Sequence, residues 1–155
     1  MYSFLERPTF QIWLILAVLL TFKMFVNSMY QGYYRVKNRA FVKPEDAACF
    51  GKGAAPKAEE HPMVQRAAIC WRNDLENIPV FLILGLGFVL AGGSLPWCLA
   101  YFGLFFLARL GHTCFCLYPR QPHRTLIFSL GALALMGLAT HLLILAVRAL
   151  ITSAG

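Results

Sequence analysis

An all-α integral membrane protein, folded as a four-transmembrane-helix bundle, is expected here on three observations. The 155 residues are 59% hydrophobic, with a mean hydropathy of +0.61. That is more apolar surface than a soluble domain of this length needs. The apolar residues gather in four runs, and each can supply the roughly 20 residues that cross a bilayer. The basic residues cluster in the connections between those runs. The length suits one membrane domain, 1–155, with a loop and helix extension at 31–76.

The first span is 10–29, with Lys23 as its only charge. It is longer than a signal-peptide core and no small-residue cleavage site follows it, so it is expected to stay in the membrane. The connection after it holds eight basic residues: Arg35, Lys37, Arg39, Lys43, Lys52, Lys57, Arg66 and Arg72. Residues 43–60 read as loop, rich in Gly, Ala, Lys, Pro and Glu. A helix is expected to begin at His61-Pro62, because proline suits the first helical position. Beyond it Val64, Ala68, Trp71, Leu75 and Ile78 recur at helical steps as an apolar stripe. Gln65, Arg72 and Glu76 mark the opposite stripe, with Arg66 and Asn73 beside it. Arg72 and Glu76 are spaced to pair. Pro79 removes the donor for the Leu75 carbonyl, so a kink and a polar opening beside Glu76 are expected, the alternative being a harmless proline of the kind membrane helices tolerate.

The second span, 77–91, continues this polar helix into the membrane. Ala91-Gly92-Gly93-Ser94 makes a tight turn into the third span, 95–117, which carries Arg109 and His112 in its last third. Pro119-Arg120-Gln121-Pro122 then breaks the chain before the fourth span, 126–147. Pro122 is placed to open that helix, which sets Arg124 in its first turn. Gly131, Ala134 and Gly137 permit close helix approach. The basic first and third connections share one face of the membrane, so that face is expected to be cytoplasmic, with both termini opposite.

The formal charge of +7 does not point to nucleic acid, because the basic residues form no basic helix and do not alternate with aromatics. The five cysteines, Cys49, Cys70, Cys98, Cys114 and Cys116, follow no framework spacing and complete no metal set. They read as buried inert thiols. Lys23 and His141 stand alone on apolar helices; Lys23 is expected either to snorkel or to pair with a neighbouring helix, and His141 to be a hydrogen-bonded structural residue; His61 and His123 read as loop or cap residues.

Arg35, Arg72, Asn73, Glu76, Arg109, His112 and Arg124 come from all four spans and lie near their cytoplasmic ends. Polar groups at the edge of hydrocarbon are costly unless they serve a site. The excess of arginine points to an anion with carboxylates, which guanidinium forks hold in two-point geometry. Glu76 is suited to an ammonium group, so a zwitterionic, peptide-like anion fits. Arg124 adds a guanidinium to the positive end of a helix, an arrangement that holds a thiolate. Two units of thiol pKa lowering would take about 2.7 kcal/mol. A solvated juxtamembrane helix and a snorkelling Arg124 are the bland alternatives.

Val64-Gln65-Arg66 and Arg72-Asn73-Asp74-Leu75-Glu76-Asn77-Ile78-Pro79, followed by an apolar span, resemble the MAPEG family, the membrane-associated proteins in eicosanoid and glutathione metabolism. Phe41-Val42-Lys43-Pro44-Glu45-Asp46-Ala47, Ala108-Arg109-Leu110-Gly111-His112-Thr113 and Pro122-His123-Arg124-Thr125 extend the resemblance along nearly the whole chain. It is nearest the branch of microsomal prostaglandin E synthase and microsomal glutathione transferase 1. The resemblance implies a homotrimer of four-helix subunits, with glutathione bound between subunits near the cytoplasmic face. It implies glutathione contacts from Arg35, Arg72, Asn73, Glu76, His112, Arg124 and Thr125, with Arg124 stabilising the thiolate. Asp46 and Thr125 occupy positions of an Asp and a Ser discussed as catalytic, and Thr125 keeps the hydroxyl. Cys116 and Phe128 replace tyrosines of that branch and remove two hydroxyls.

The implied activity is a glutathione-dependent transferase or peroxidase acting on lipophilic electrophiles from the bilayer, with no metal. An isomerase of lipid endoperoxides, of the prostaglandin E synthase type, would use the same site. A membrane transporter or scaffold is the non-enzymatic alternative. It is disfavoured because the far half of the spans is almost purely apolar.

Overall fold

Prolines set the helix starts in the computed structural model, which describes residues 4–154. Pro8, Pro44 and Pro62 are the first residues of α1 (Pro8–Asn38), α2 (Pro44–Phe50) and α3 (Pro62–Leu90). Pro96 sits in the first turn of α4 (Leu95–Leu117), and Pro122 directly precedes α5 (His123–Ala154). A proline there loses nothing, because the first N–H groups of a helix have no intrahelical acceptor, and its fixed φ is already helical. A single 3₁₀ turn, Phe4–Glu6, leads into α1.

Four of these helices are long and apolar enough to cross a membrane: α1 with 31 residues, α3 with 29, α4 with 23 and α5 with 32. Even α4 reaches about 35 Å at 1.5 Å per residue, enough for the hydrocarbon core. The helices α1 and α5 run past the apolar stretches 10–29 and 126–147. Hydropathy marks the lipid-facing part of a helix, whereas its backbone continues until a cap stops it. In α1 that cap is Arg39, left-handed at φ 47°, whose N–H returns to Arg35 and Val36.

The stretch 43–60 is not wholly loop. It contains α2, which starts on Pro44 with Glu45 and Asp46 in its first turn, where the helix dipole favours acids. The start of α3 is as expected. His61 caps it by accepting the Met63 N–H on Nδ1 at 3.2 Å.

Helix α1 packs mainly on α3, and α5 on α4; the α3–α4 contact joins the two pairs. The α3–α4 hairpin turns on Gly92, at φ +79°, and on Gly93, whose place against the Phe88 ring leaves no room for a Cβ. The core between the pairs is aromatic. Phe81 stacks on Phe105 with centroids 4.1 Å apart and meets Phe102 edge-on at 5.3 Å. Leu20, Ile78, Phe88 and Leu138 complete it. Phe22, Phe25, Ile83, Leu133 and Met136 point outward and are exposed on the single chain, as lipid-facing residues are.

Close approach of α5 to α4 depends on Gly131, as the small-residue pattern predicts. A Cβ there would lie 2.7 Å from Arg109 Nη2 and 3.2 Å from the Ala108 Cβ. Gly131→Val is expected to destabilise the bundle by about 1–3 kcal/mol through overpacking. The check is the unfolding midpoint in detergent, with Gly103→Ala as control, where an added Cβ meets nothing within 4 Å.

Two cysteines depart from the expectation of inert thiols. Cys70 of α3 and Cys116 of α4 form a disulfide, with Cα atoms 6.2 Å apart. They are 46 residues apart in sequence, so only the antiparallel packing of the hairpin reveals the pair. Of the three free thiols Cys98 is buried as expected, whereas Cys49 and Cys114 are exposed and correct the expectation of burial.

Candidate functional site

Beneath the site lies a buried polar layer drawn from α1, α3 and α4. Lys23 of α1 and Asp74 of α3 form an ion pair at 2.5 Å, with Asp74 fully buried. Arg109 of α4 is also fully buried. Its Nη1 donates to Asn73 Oδ1 at 2.8 Å, and its guanidinium carbon lies 5.3 Å from the Phe105 ring centroid and 5.6 Å from that of Phe128. Charges this deep persist only with partners.

Asp74 also corrects the expected stripe on α3. The buried line is Val64, Ala67, Cys70, Asp74, Ile78 and Phe81, whereas Ala68 and Leu75 are exposed. The Lys23 pairing draws an acid into a core position, and Leu75 turns to the outside. Lys23 is accordingly a paired core residue that ties α1 to α3.

Above this layer, at one end of the bundle, α3, α4 and α5 enclose a concavity of about 270 Å³. It is lined by Ile69, Asn73, His112, Cys116, Arg124, Thr125 and Phe128. Asn73 is held from both sides: Arg109 occupies its Oδ1, and Asn77 Nδ2 donates to its backbone oxygen at 2.7 Å. Its side-chain NH₂ therefore remains for a ligand. His112 is 7% exposed, and its Nδ1 has no partner. Arg124 and Thr125 stand in the first turn of α5. The Gln121 amide joins them: in the orientation that suits both neighbours, its oxygen accepts from Arg124 Nη2 at 3.0 Å and its nitrogen donates to Thr125 Oγ1 at 3.1 Å.

A second concavity of about 330 Å³ shares Ile69, Cys116 and Arg124 and adds Pro62, Gln65 and Arg66. No Asp or Glu lines either hollow. With Arg66, Arg124, His112, an amide donor and a helix N-terminus along two adjoining hollows, this groove is suited to an anion.

Asn73, His112, Arg124 and Thr125 thus come together from three helices. The other expected residues lie elsewhere on the chain. Arg35 is clamped by Glu60, with Nε at 3.0 Å and Nη2 at 2.8 Å from Oε1. These two line a separate hollow of about 130 Å³ with Phe41, Val42, Lys43 and Asp46. Arg72 and Glu76 are exposed on α3 away from the buried line. Among the described residues the ion pairs are Lys23–Asp74 and Arg35–Glu60, so the expected Arg72–Glu76 pair is not formed. Pro79 stays within α3, and the concavity opens at Ile69 and Asn73 rather than beside Glu76.

The sequence reading left Gln121, Arg66 and Ile69 out of the site. Gln121 carried a signal, since it stands three residues before Arg124 in the Pro-Arg-Gln-Pro break, where a side chain can reach the first helical turn. Pro62, Arg66, Ile69 and Asn73 also recur at steps of three and four along one side of α3. Away from the site, His141 packs among rings, with centroids 4.9 Å from Phe88 and 5.3 Å from Trp97.

Fold and hollow together define a helical membrane protein with an anion-receptive groove among three helices at one end of its bundle. Residues 13–144 match the MAPEG family, and the chain belongs to that family. It is 39% identical over 130 residues to microsomal glutathione S-transferase 1 of Mus musculus, covering 82% of this chain and 83% of that protein. To the protein of the same name from Sus scrofa it is 35% identical over 142 residues, covering 90% and 92%. Prostaglandin E synthase of Homo sapiens is 31% identical over 140 residues, covering 90% and 91%.

Proposed function

We propose that this protein is a glutathione-dependent membrane enzyme that binds glutathione in the α3–α4–α5 groove, holds it as thiolate and transfers it to lipophilic electrophiles or uses it to reduce peroxides. One observation carries this reading above the others: Arg124 stands at the N-terminus of α5 over a hollow with donors and no acid. Membership of the MAPEG family, and relatives named glutathione S-transferase, supply the ligand class.

The roles divide by chemistry. Arg124 and the positive end of α5 stabilise the sulfur anion, and Thr125 adds a hydroxyl donor. Asn73, His112 and Arg66 offer donors to carboxylate and amide oxygens of the peptide. Gln121 holds Arg124 and Thr125 in register. The protein contributes charge stabilisation and positioning, with the glutathione sulfur itself as nucleophile. The electrophile enters from lipid, and the groove opens on the cytoplasmic side, as the basic connections indicate.

In the same proposal the enzyme is a homotrimer. Arg35, Asp46, Arg72 and Glu76 lie outside their own chain's groove. Glutathione bound between subunits would let a neighbouring copy bring them to it, including Asp46 as a catalytic group and Glu76 as an ammonium acceptor.

The test is a thermal shift in detergent with glutathione, with its S-methyl form and without ligand. At 100 times the dissociation constant, binding to the native state stabilises by about 2.7 kcal/mol. Both ligands are expected to raise the midpoint. No shift with either would overturn the reading and favour a transporter or scaffold. The 31% identity to a prostaglandin E synthase supports a second activity at this site, isomerisation of a lipid endoperoxide. Parallel assays with an aryl halide, a lipid hydroperoxide and an endoperoxide separate the two.

A further inference from the structure

The Cys70–Cys116 disulfide meets the groove at Cys116. Cys116 lines both concavities beside Arg124 and is 2% exposed, whereas Cys70 is 0% exposed and lines neither. A thiolate held at Arg124 therefore shares its hollow with an oxidised sulfur. Thiol–disulfide exchange requires a thiolate, an accessible sulfur and attack in line with the S–S bond. The groove presents only the Cys116 side of that bond.

We infer that Cys70 and Cys116 form a redox couple that exchanges with glutathione in this groove, giving the protein a second, thiol–disulfide oxidoreductase chemistry. The inference rests on the glutathione reading above. In the first step the glutathione thiolate attacks Cys116 Sγ. A bond forms between the two sulfurs, the Cys70–Cys116 bond breaks, and Cys70 leaves as thiolate and takes a proton from water. In the second step another glutathione thiolate attacks the glutathione sulfur of the mixed disulfide. Cys116 is released as thiolate and protonated, and oxidised glutathione departs. Two glutathione molecules lose two electrons in all, and the protein disulfide gains them. Oxidised glutathione runs the sequence backwards.

The bridge ties α3 to α4 about one turn from Asn73 and His112, two other residues of the lining. Reduction would free Cys116 as a thiol within the groove, so the redox state sets what the ligand meets there. A disulfide facing a glutathione-rich compartment is catalytic or sensing rather than a static staple.

The test equilibrates the full-length protein in detergent across ratios of reduced to oxidised glutathione. Free thiols are then blocked and the cysteine peptides quantified by mass spectrometry. The ratio of dithiol to disulfide is expected to rise in proportion to the squared concentration of reduced glutathione divided by that of oxidised glutathione. In Cys70→Ser, Cys116 should carry a glutathione adduct. In Cys116→Ser, adduct on Cys70 should be at least roughly tenfold lower, because oxidised glutathione, which must supply the adduct there, cannot reach the buried thiol. Excess S-methyl glutathione, which occupies the groove but cannot attack, should slow reduction of the wild-type bridge.

A bridge unchanged at every ratio would overturn the inference, as would an adduct placed on Cys70, or reduction indifferent to S-methyl glutathione. The wild-type titration needs no variant to fold. If S-methyl glutathione still shifts the melting temperature while the bridge stays inert, the exchange fails and the glutathione site stands. If it gives no shift, both fall.

Discussion

Arg124→Ala will slow glutathione conjugation roughly 10- to 100-fold near pH 6.5 and only a few-fold near pH 9, if the guanidinium and helix end lower the bound thiol pKa by about two units. The pH trend follows from the sign of the shift. Arg124 raises the thiolate fraction only below the unperturbed thiol pKa of about 8.5. Above it the variant's thiol ionises unaided. A more basic thiolate is also the better nucleophile, which offsets part of the loss. Glutathione affinity should fall less than turnover, since Asn73, His112 and Arg66 still line the two hollows. Steady-state rates with an aryl halide across pH provide the check. A variant within threefold of wild type at every pH would remove Arg124 from the chemistry.

The second large effect belongs to the layer below. Asp74→Ala leaves the Lys23 side chain, 8% exposed, without its acid partner at 2.5 Å. Removing one member of a buried ion pair costs about 3–5 kcal/mol. The loss should appear as a lower unfolding midpoint in detergent, because the pair joins α1 to α3. Lys23→Met with Asp74→Leu should recover most of it, since an apolar pair of similar volume avoids the desolvation of two charges. A full double-mutant cycle isolates the coupling from other changes at the two sites. If Asp74→Ala alone costs less than about 1 kcal/mol, water or an alternative partner satisfies Lys23, and the pair is not what holds the helices together.

What could be read in advance depended on how local each signal was. The span 95–117 matched α4 because Gly92-Gly93 bounds it on one side and the Tyr118-Pro119 break on the other. The place of Arg124 in the first turn of α5 followed from Pro122 alone. Four of the eight expected site residues meet in the groove, because Asn73, His112, Arg124 and Thr125 sit where their helices reach the same end of the bundle.

The remainder needed the third dimension. Asp74 lies in the run Asn73-Asp74-Leu75-Glu76 beside an acid that is exposed, and nothing local tells the two apart. The distinction comes from Lys23, 51 residues earlier in the chain. Arg35 looked available for a ligand because its partner Glu60 lies in a loop with no periodicity to place it. The pairing of Cys70 with Cys116 depends on helix register, which composition does not carry.

The most direct single measurement is the ionisation of bound glutathione. The ultraviolet absorbance of its thiolate is followed across pH at saturating ligand, with the S-methyl form as blank. The titration midpoint should fall about two units below that of the free thiol, near 8.5, and return toward it in Arg124→Ala. A wild-type midpoint equal to that of glutathione in water would show that the groove does not hold a thiolate.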